Sequence, residues 1–228
     1  MTIIHLEAEN YWMFGGGEDL LSEPRPVDMA PVRDNLIVWE KGENGTEGKV
    51  KRNVIVIPGS SVKGAIAHRT AFHYNVLRGN FADKVENLEE FCGENNGAVR
   101  DLFGFAGAGP QDGARGKISI EDVFIENDPP SNRIAHVTID RFTGGAKDTG
   151  LFDEKPLYKG EFDMKITVED LDSIDDESLK AFCSALDDLC NGRLQLGAGS
   201  GRGMGYFNGD IEEAPARIKE AVTDGNKR

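Results

Sequence analysis

Residues 161–192 constrain the fold most, because the period of the apolar residues changes there from two to about 3.6. In "EFDMKITVE", Phe162, Met164, Ile166 and Val168 alternate with Asp163, Lys165 and Thr167. That is the pattern of a strand with one buried face. In "DDESLKAFCSALDDLCNG", Leu179, Phe182, Cys183, Leu186, Leu189 and Cys190 recur at i, i+3, i+4, i+7, i+10 and i+11. This spacing sets them on one side of a helix, and Gly192 stands where a glycine closes one.

The rest of the chain extends the alternation of strands and helices. "IIHLEAEN" reads as a first strand, with Ile4, Leu6 and Ala8 opposite His5, Glu7 and Glu9. Residues 10–52 show no sustained period, and a loop of that length in a compact domain is usually functional or disordered. "VIVIP" is a short strand at 54–58, and "GSSVKGAIAHRTAFHYNVL" predicts a helix. Ser60 or Ser61 caps it, and Val62, Ile66 and Val76 form part of its apolar face. Asn87–Phe103 reads as partly helical, "GFAGAGPQDGARG" as loop and "KISIEDVFI" as one strand, ended by Pro129 and Pro130. Residues 135–160 read as an excursion from the core, "MGYFNGDI" as a closing strand, and the chain beyond Glu212 as a polar tail. Strands with two helices and no steady βαβ repeat predict an α+β, ferredoxin-like core with long insertions. One domain is expected over 1–212, followed by the tail at 213–228.

Charge narrows the partners. The chain has 228 residues and a formal net charge of −14. That argues against a freestanding nucleic-acid binder, since neutralising phosphates takes Lys and Arg. The charge is uneven, however. From Gly45 to Asn80 there are six Lys or Arg and one acid, whereas from Glu161 to Cys190 there are ten acids and two lysines. One segment can face phosphate while another faces solvent or a basic partner. No apolar run approaches the length of a membrane span. The segment "MTIIHLEAEN" is not read as a signal peptide. Three cysteines without CxxC spacing favour reduced thiols in a cytoplasm over disulfides or zinc.

Five stretches can carry chemistry. In "IPGSSVKGAI" a strand ends and a helix begins, so exposed N–H groups, Ser60, Ser61 and Lys63 can hold a phosphate. The plainer reading is a capped helix start. In "RPVDMAPVRDN", prolines stiffen a loop bearing Asp28 and Asp34. A carboxylate held there can bind a divalent metal or take a proton, although most loop acids are simply solvated. "HVTIDRFTGGA" sets His136, Asp140 and Arg141 before a Gly-Gly pair, as a surface hairpin would. In "KGAIAHRTAFHY", His68 and His73 lie five apart, on different helix faces, and Arg69 can reach phosphate or solvent. Last, "LQLGAGSGRGMGYF" has glycine at 197, 199, 201, 203 and 205. No triplet fits GxGxxG, which removes a dinucleotide site. In extended form the alternation leaves one face bare, so that Gly199, Gly201 and Arg202 approach another backbone closely. A mobile loop is the simpler alternative.

The order of "IPGSSVKGAIAHR", "LFGFAGAG…GARGKISIEDVF", "HVTIDRFTGGAKDTGLFDEKPLYKGEFDMKI" and "LGAGSGRGMGYF" resembles the RAMP superfamily of CRISPR proteins. It is most similar to the backbone subunit of type III effector complexes, the Cas-seven group. The resemblance implies an RRM-like ferredoxin core reshaped into palm and thumb, with the thumb at about 135–160. It implies copies or other subunits stacked along a CRISPR guide RNA and a complementary target RNA. It also implies RNA contacts from Ser60, Ser61, Lys63, Arg69, Arg141, Gly199, Gly201 and Arg202. Target-cleaving members use an aspartate in a D-x-x-P-V-like stretch with a divalent cation, Mg or Mn. "VDMAPVRD" matches it, which makes Asp28 both the catalytic and the metal-binding candidate. Two alternatives stay open: a non-catalytic guide-binding scaffold, and a guide-processing endonuclease relying on His68 or His136.

Overall fold

A computed structural model describes residues 1–17, 26–41, 47–81, 91, 93–106 and 113–225. In chain order the elements are β1 (Thr2–Trp12), β2 (Arg33–Lys41), β3 (Glu47–Ile57), α1 (Gly59–Leu77), α2 (Gly97–Phe103), β4 (Gly104–Phe105) and β5 (Ala114–Arg115). They continue with β6 (Ile118–Ile120), β7 (Val123–Ile125), β8 (Ile134–Ile139), β9 (Ala146–Glu154), β10 (Leu157–Val168), α3 (Asp176–Cys190), β11 (Phe207–Glu213) and α4 (Ala216–Gly225).

The central sheet runs β11-β1-β10-β6, with every neighbouring pair antiparallel. Numbered within that sheet, the strand order is 4-1-3-2. α1 lies between its first and second strands in the chain, and α3 between its third and fourth. That is the ferredoxin-like arrangement, and the protein is an α+β fold. Alternation sends Ile4, Leu6, Ala8, Phe162, Met164, Ile166 and Phe207 into the core. α3 meets them with Leu179, Phe182, Cys183, Leu186, Leu189 and Cys190, all buried as their spacing predicts. Each large side chain so buried contributes about 1.5–3 kcal/mol. α3 starts on Asp175, whose side chain accepts from the Ser178 N–H.

Several elements differ from the sequence expectation. The segment read as a loop contains β2 and the start of β3, a hairpin in register from Arg33↔Ile55 to Lys41↔Glu47. Its period is hidden because its exposed side also carries large apolar residues, Ile37 and Trp39. "KISIEDVFI" is two strands in two sheets. β6 joins the core, and β7 pairs with β3 after a break at Glu121–Asp122. The break has a use: Asp122 Oδ1 accepts from Gly59 N at 2.7 Å, so Asp122 caps α1, rather than Ser60 or Ser61. α1 buries Val62, Ile66, Thr70 and Tyr74, spaced by four, and leaves Val76 exposed. The excursion is the β8–β9 hairpin. Beyond Glu212, α4 packs on α3 with Ile218 fully buried. Parts of the expected helix at 87–103 and of the loop at 104–116 lie outside the described residues. Among the described residues no helix is long and apolar enough to cross a membrane.

Candidate RNA interface

The glycine-rich stretch is not extended. Ser200–Arg202 forms a short 3-10 turn, and Gly197, Gly199, Gly203 and Gly205 all have φ near +80°. The alternation therefore marks left-handed positions in a compact loop, which corrects the bare-strand reading. The loop docks on the end of β1. Ala198 N donates to Met13 O at 2.7 Å, Gly205 N to Tyr11 O at 2.9 Å, and Leu196 N to Gly205 O at 2.9 Å. A Cβ on Gly197 would lie 2.3 Å from Met13 O, and one on Gly205 2.1 Å from Leu196 O. Those two glycines are demanded by close backbone approach. Gly201 has open space around it.

What the loop positions is Arg202. Its Nη2 lies 2.6 Å from Glu154 Oε2, and its guanidinium stands over the Phe152 ring. Glu154 ends β9 and has no exposed surface. Its other oxygen lies 2.7 Å from His136 Nε2, and the His136 ring stacks on Phe152. Such a buried carboxylate costs several kcal/mol unless it is paired, and here it is paired twice.

The Asp28 loop reaches the same place. Asp28 is exposed, and its Oδ2 accepts from Asp153 N at 2.7 Å. Met29 N donates to Asp153 O, and Lys155 N to Met29 O. Arg133, on the facing side of the hairpin base, holds the Asp153 carboxylate and donates to Pro26 O. The base of the β8–β9 hairpin thus gathers Asp28, Arg202 and His136 from segments far apart in the chain. Sequence reasoning missed Asp153, Glu154 and Arg133, which do the gathering. No spacing marks them, since each acts on a residue from a different segment.

The remaining candidates lie elsewhere. Ser60 and Ser61 are exposed in the first turn of α1, with half-buried Lys63 two residues on. Arg141 is exposed at the hairpin tip, beside a completely exposed Phe142. Asp140 shapes that tip. The N–H groups of Thr143 and Phe142 bond its carboxylate and hold its pKa below the usual range. The tip lies about 20 Å from the base, taking a strand rise of roughly 3.3 Å per residue over six residues. Arg69 faces inward to Asp188, which also receives His73 and Arg193. Arg69 and Arg202 each already have a carboxylate partner.

Charge separates the surfaces. The open face of the central sheet carries Glu7, Glu161, Asp163 and Asp210 around His5. Asp163 hydrogen-bonds His5 and raises its pKa. An acidic face of this kind repels a phosphate backbone.

No individual curated protein matches the chain. The family model of the RAMP superfamily does match, over residues 5–208, from β1 to the beginning of β11. The chain therefore belongs to the RAMP superfamily, among CRISPR-associated proteins that bind RNA.

Proposed function

We propose that the chain is a backbone subunit of a type III CRISPR effector complex, one that holds guide RNA and cuts complementary target RNA with Asp28. The observation that carries this reading is the tether of Asp28. An exposed carboxylate is fixed by the Asp153 amide at the root of a projecting hairpin, where the glycine-rich loop also arrives. A carboxylate so held suits proton transfer, which rewards fixed geometry. The target's 2′-hydroxyl gives its proton to the free oxygen of Asp28 and attacks the adjacent phosphorus. The P–O5′ bond breaks, leaving a 2′,3′-cyclic phosphate; the departing 5′-oxygen takes a proton from water, and the hydroxide so formed takes back the proton held by Asp28. DNA lacks the attacking group.

A divalent cation is part of this reading. Among the described residues no three His, Cys, Asp or Glu side chains gather to hold a metal. Among the described residues Asp28 would be the protein ligand, beside RNA phosphate oxygens. A cation there supplies charge relief on the phosphate.

The test is Asp28→Ala in the complex purified with its co-expressed partners. Guide RNA stays bound, and target cleavage falls by about 100-fold or more. Undiminished cleavage removes Asp28 from the mechanism. A 2′-deoxy sugar before the scissile phosphate blocks cutting as well. Intact complexes that never cleave in Mg or Mn instead mark a scaffold.

A second reading rests on His136. Its imidazole lies 2.7 Å from Glu154 Oε1, the kind of carboxylate contact that orients a general base. Metal-free cleavage of repeat RNA by the isolated chain, indifferent to Asp28→Ala, supports a guide-processing endonuclease.

A further inference from the structure

The β2–β3 hairpin carries a surface that the Asp28 mechanism does not use. Its register places Arg33, Asn35, Ile37 and Trp39 on the same face as Lys49, Lys51 and Asn53, since directly opposed residues share a face. Exposure agrees: Asn35, Ile37 and Trp39 are open, while the intervening Leu36 and Val38 are half-buried. Trp39 is 64% exposed and Ile37 65%. The Lys49 ammonium lies 5.2 Å from the centre of the Trp39 ring. At positions 33–39 and 49–53 this face bears cations, amides and an indole but no acid, in a chain of net charge −14. An exposed tryptophan needs a reason, because burying it is strongly favourable.

The face also leads somewhere. At its root it opens into a cleft of about 730 Å³ lined by Ala30, Pro31, Arg33, Asn35, Asn53 and Lys155, and by Asp128, whose carboxylate is paired with Arg33. Ala30 and Pro31 belong to the Asp28 loop, and Lys155 follows Glu154. From Trp39 to Arg33 the face runs about 20 Å at the usual strand rise.

We infer that this face is a binding site for single-stranded RNA, with a base stacked on Trp39, its phosphates on Lys49 and Lys51, and the strand led into the cleft walled by the Asp28 loop. The inference rests on the RNA-binding role of the family but not on Asp28 being catalytic. Charge complementarity selects the occupant. Stacking platforms flanked by cations suit single strands of any sequence. The rival occupant is the acidic sheet face of a second copy.

The chain's two tryptophans separate the possibilities, because Trp12 is buried and Trp39 is not. The full chain, freed of nucleic acid, is titrated with an unstructured 12-nucleotide RNA while tryptophan emission is followed. Binding quenches the exposed emission, and Trp39→Phe abolishes the quenching. Trp39→Ala weakens binding about 10-fold or more with an unchanged melting temperature. Replacing Lys49 and Lys51 by Gln lowers the slope of log K against log salt by about 1.4. Wild-type affinity in Trp39→Ala overturns the inference, as does Trp39 emission that ignores RNA. Loss of self-association in Trp39→Ala, with RNA affinity intact, overturns it in favour of a contact between copies. A null result at Trp39 with cleavage lost in Asp28→Ala sinks this inference alone. The opposite pair of results sinks only the cleavage mechanism.

Discussion

Glu154 and Asp188 are both buried carboxylates that gather basic side chains, and they serve different parts of the molecule. Asp188 lies between helices: Arg69 and His73 reach it from α1, and Arg193 from just beyond α3. Glu154 lies at the root of a hairpin, joining His136 of β8 to Arg202 of the glycine-rich loop. Asp188 thus ties two elements of the core, and Glu154 ties two segments of the candidate site. The contrast teaches caution about arginines. Arg69 and Arg202 both look like phosphate ligands in the sequence, yet each guanidinium is already turned to an acid. If either also touches RNA, it does so with the donors its carboxylate leaves over, in an orientation that the carboxylate fixes. Arg has five donors in a rigid fork, so the two roles are compatible.

The comparison breaks or holds on two substitutions. Asp188→Asn leaves Arg69, His73 and Arg193 facing a neutral amide between helices. Global stability falls by about 3 kcal/mol in equilibrium urea unfolding. Glu154→Gln also removes a buried charge, but it loosens a hairpin that contributes little to the core. Global stability falls by about 1 kcal/mol, and the larger effect is faster amide exchange across 134–154. Equal losses in urea would mean that the hairpin unfolds with the core and that the two carboxylates serve one cooperative unit.

Legibility in the sequence follows the same division. β10 and α3 were readable because each has one buried face, and their periods of two and 3.6 are unbroken. The β2–β3 hairpin was not, because Ile37 and Trp39 are exposed and erase the contrast between its faces. The glycine alternation was visible but ambiguous, since extended and left-handed glycines give the same letters and only φ separates them. The candidate site was legible one residue at a time. Asp28 stood out through the family resemblance, and His136 and Arg202 by type and neighbours. Their meeting at Asp153–Glu154 depends on how the hairpin folds back on the Asp28 loop, and no local pattern encodes that. Asp188 was hidden in the same way, since it lies 119 residues from Arg69.

The smallest expected effect tests the source of Asp188's contribution. Burial alone would push its pKa up. Hydrogen bonds from Arg193, His73 and Arg69 outweigh that and hold it below the ordinary 3.8. A carboxyl depressed on folding contributes stability above its unfolded pKa and loses it as pH falls through the folded value. The difference in unfolding free energy between wild type and Asp188→Asn should therefore stay level from pH 7 down to about 4 and shrink only below that. Taking the difference cancels the general acid loss shared by the other carboxylates. Urea unfolding of both proteins at pH 7, 5 and 3.5 measures it. A gap that instead widens as the pH falls from 7 to 5 would mean that burial outweighs those hydrogen bonds and raises the Asp188 carboxyl on folding.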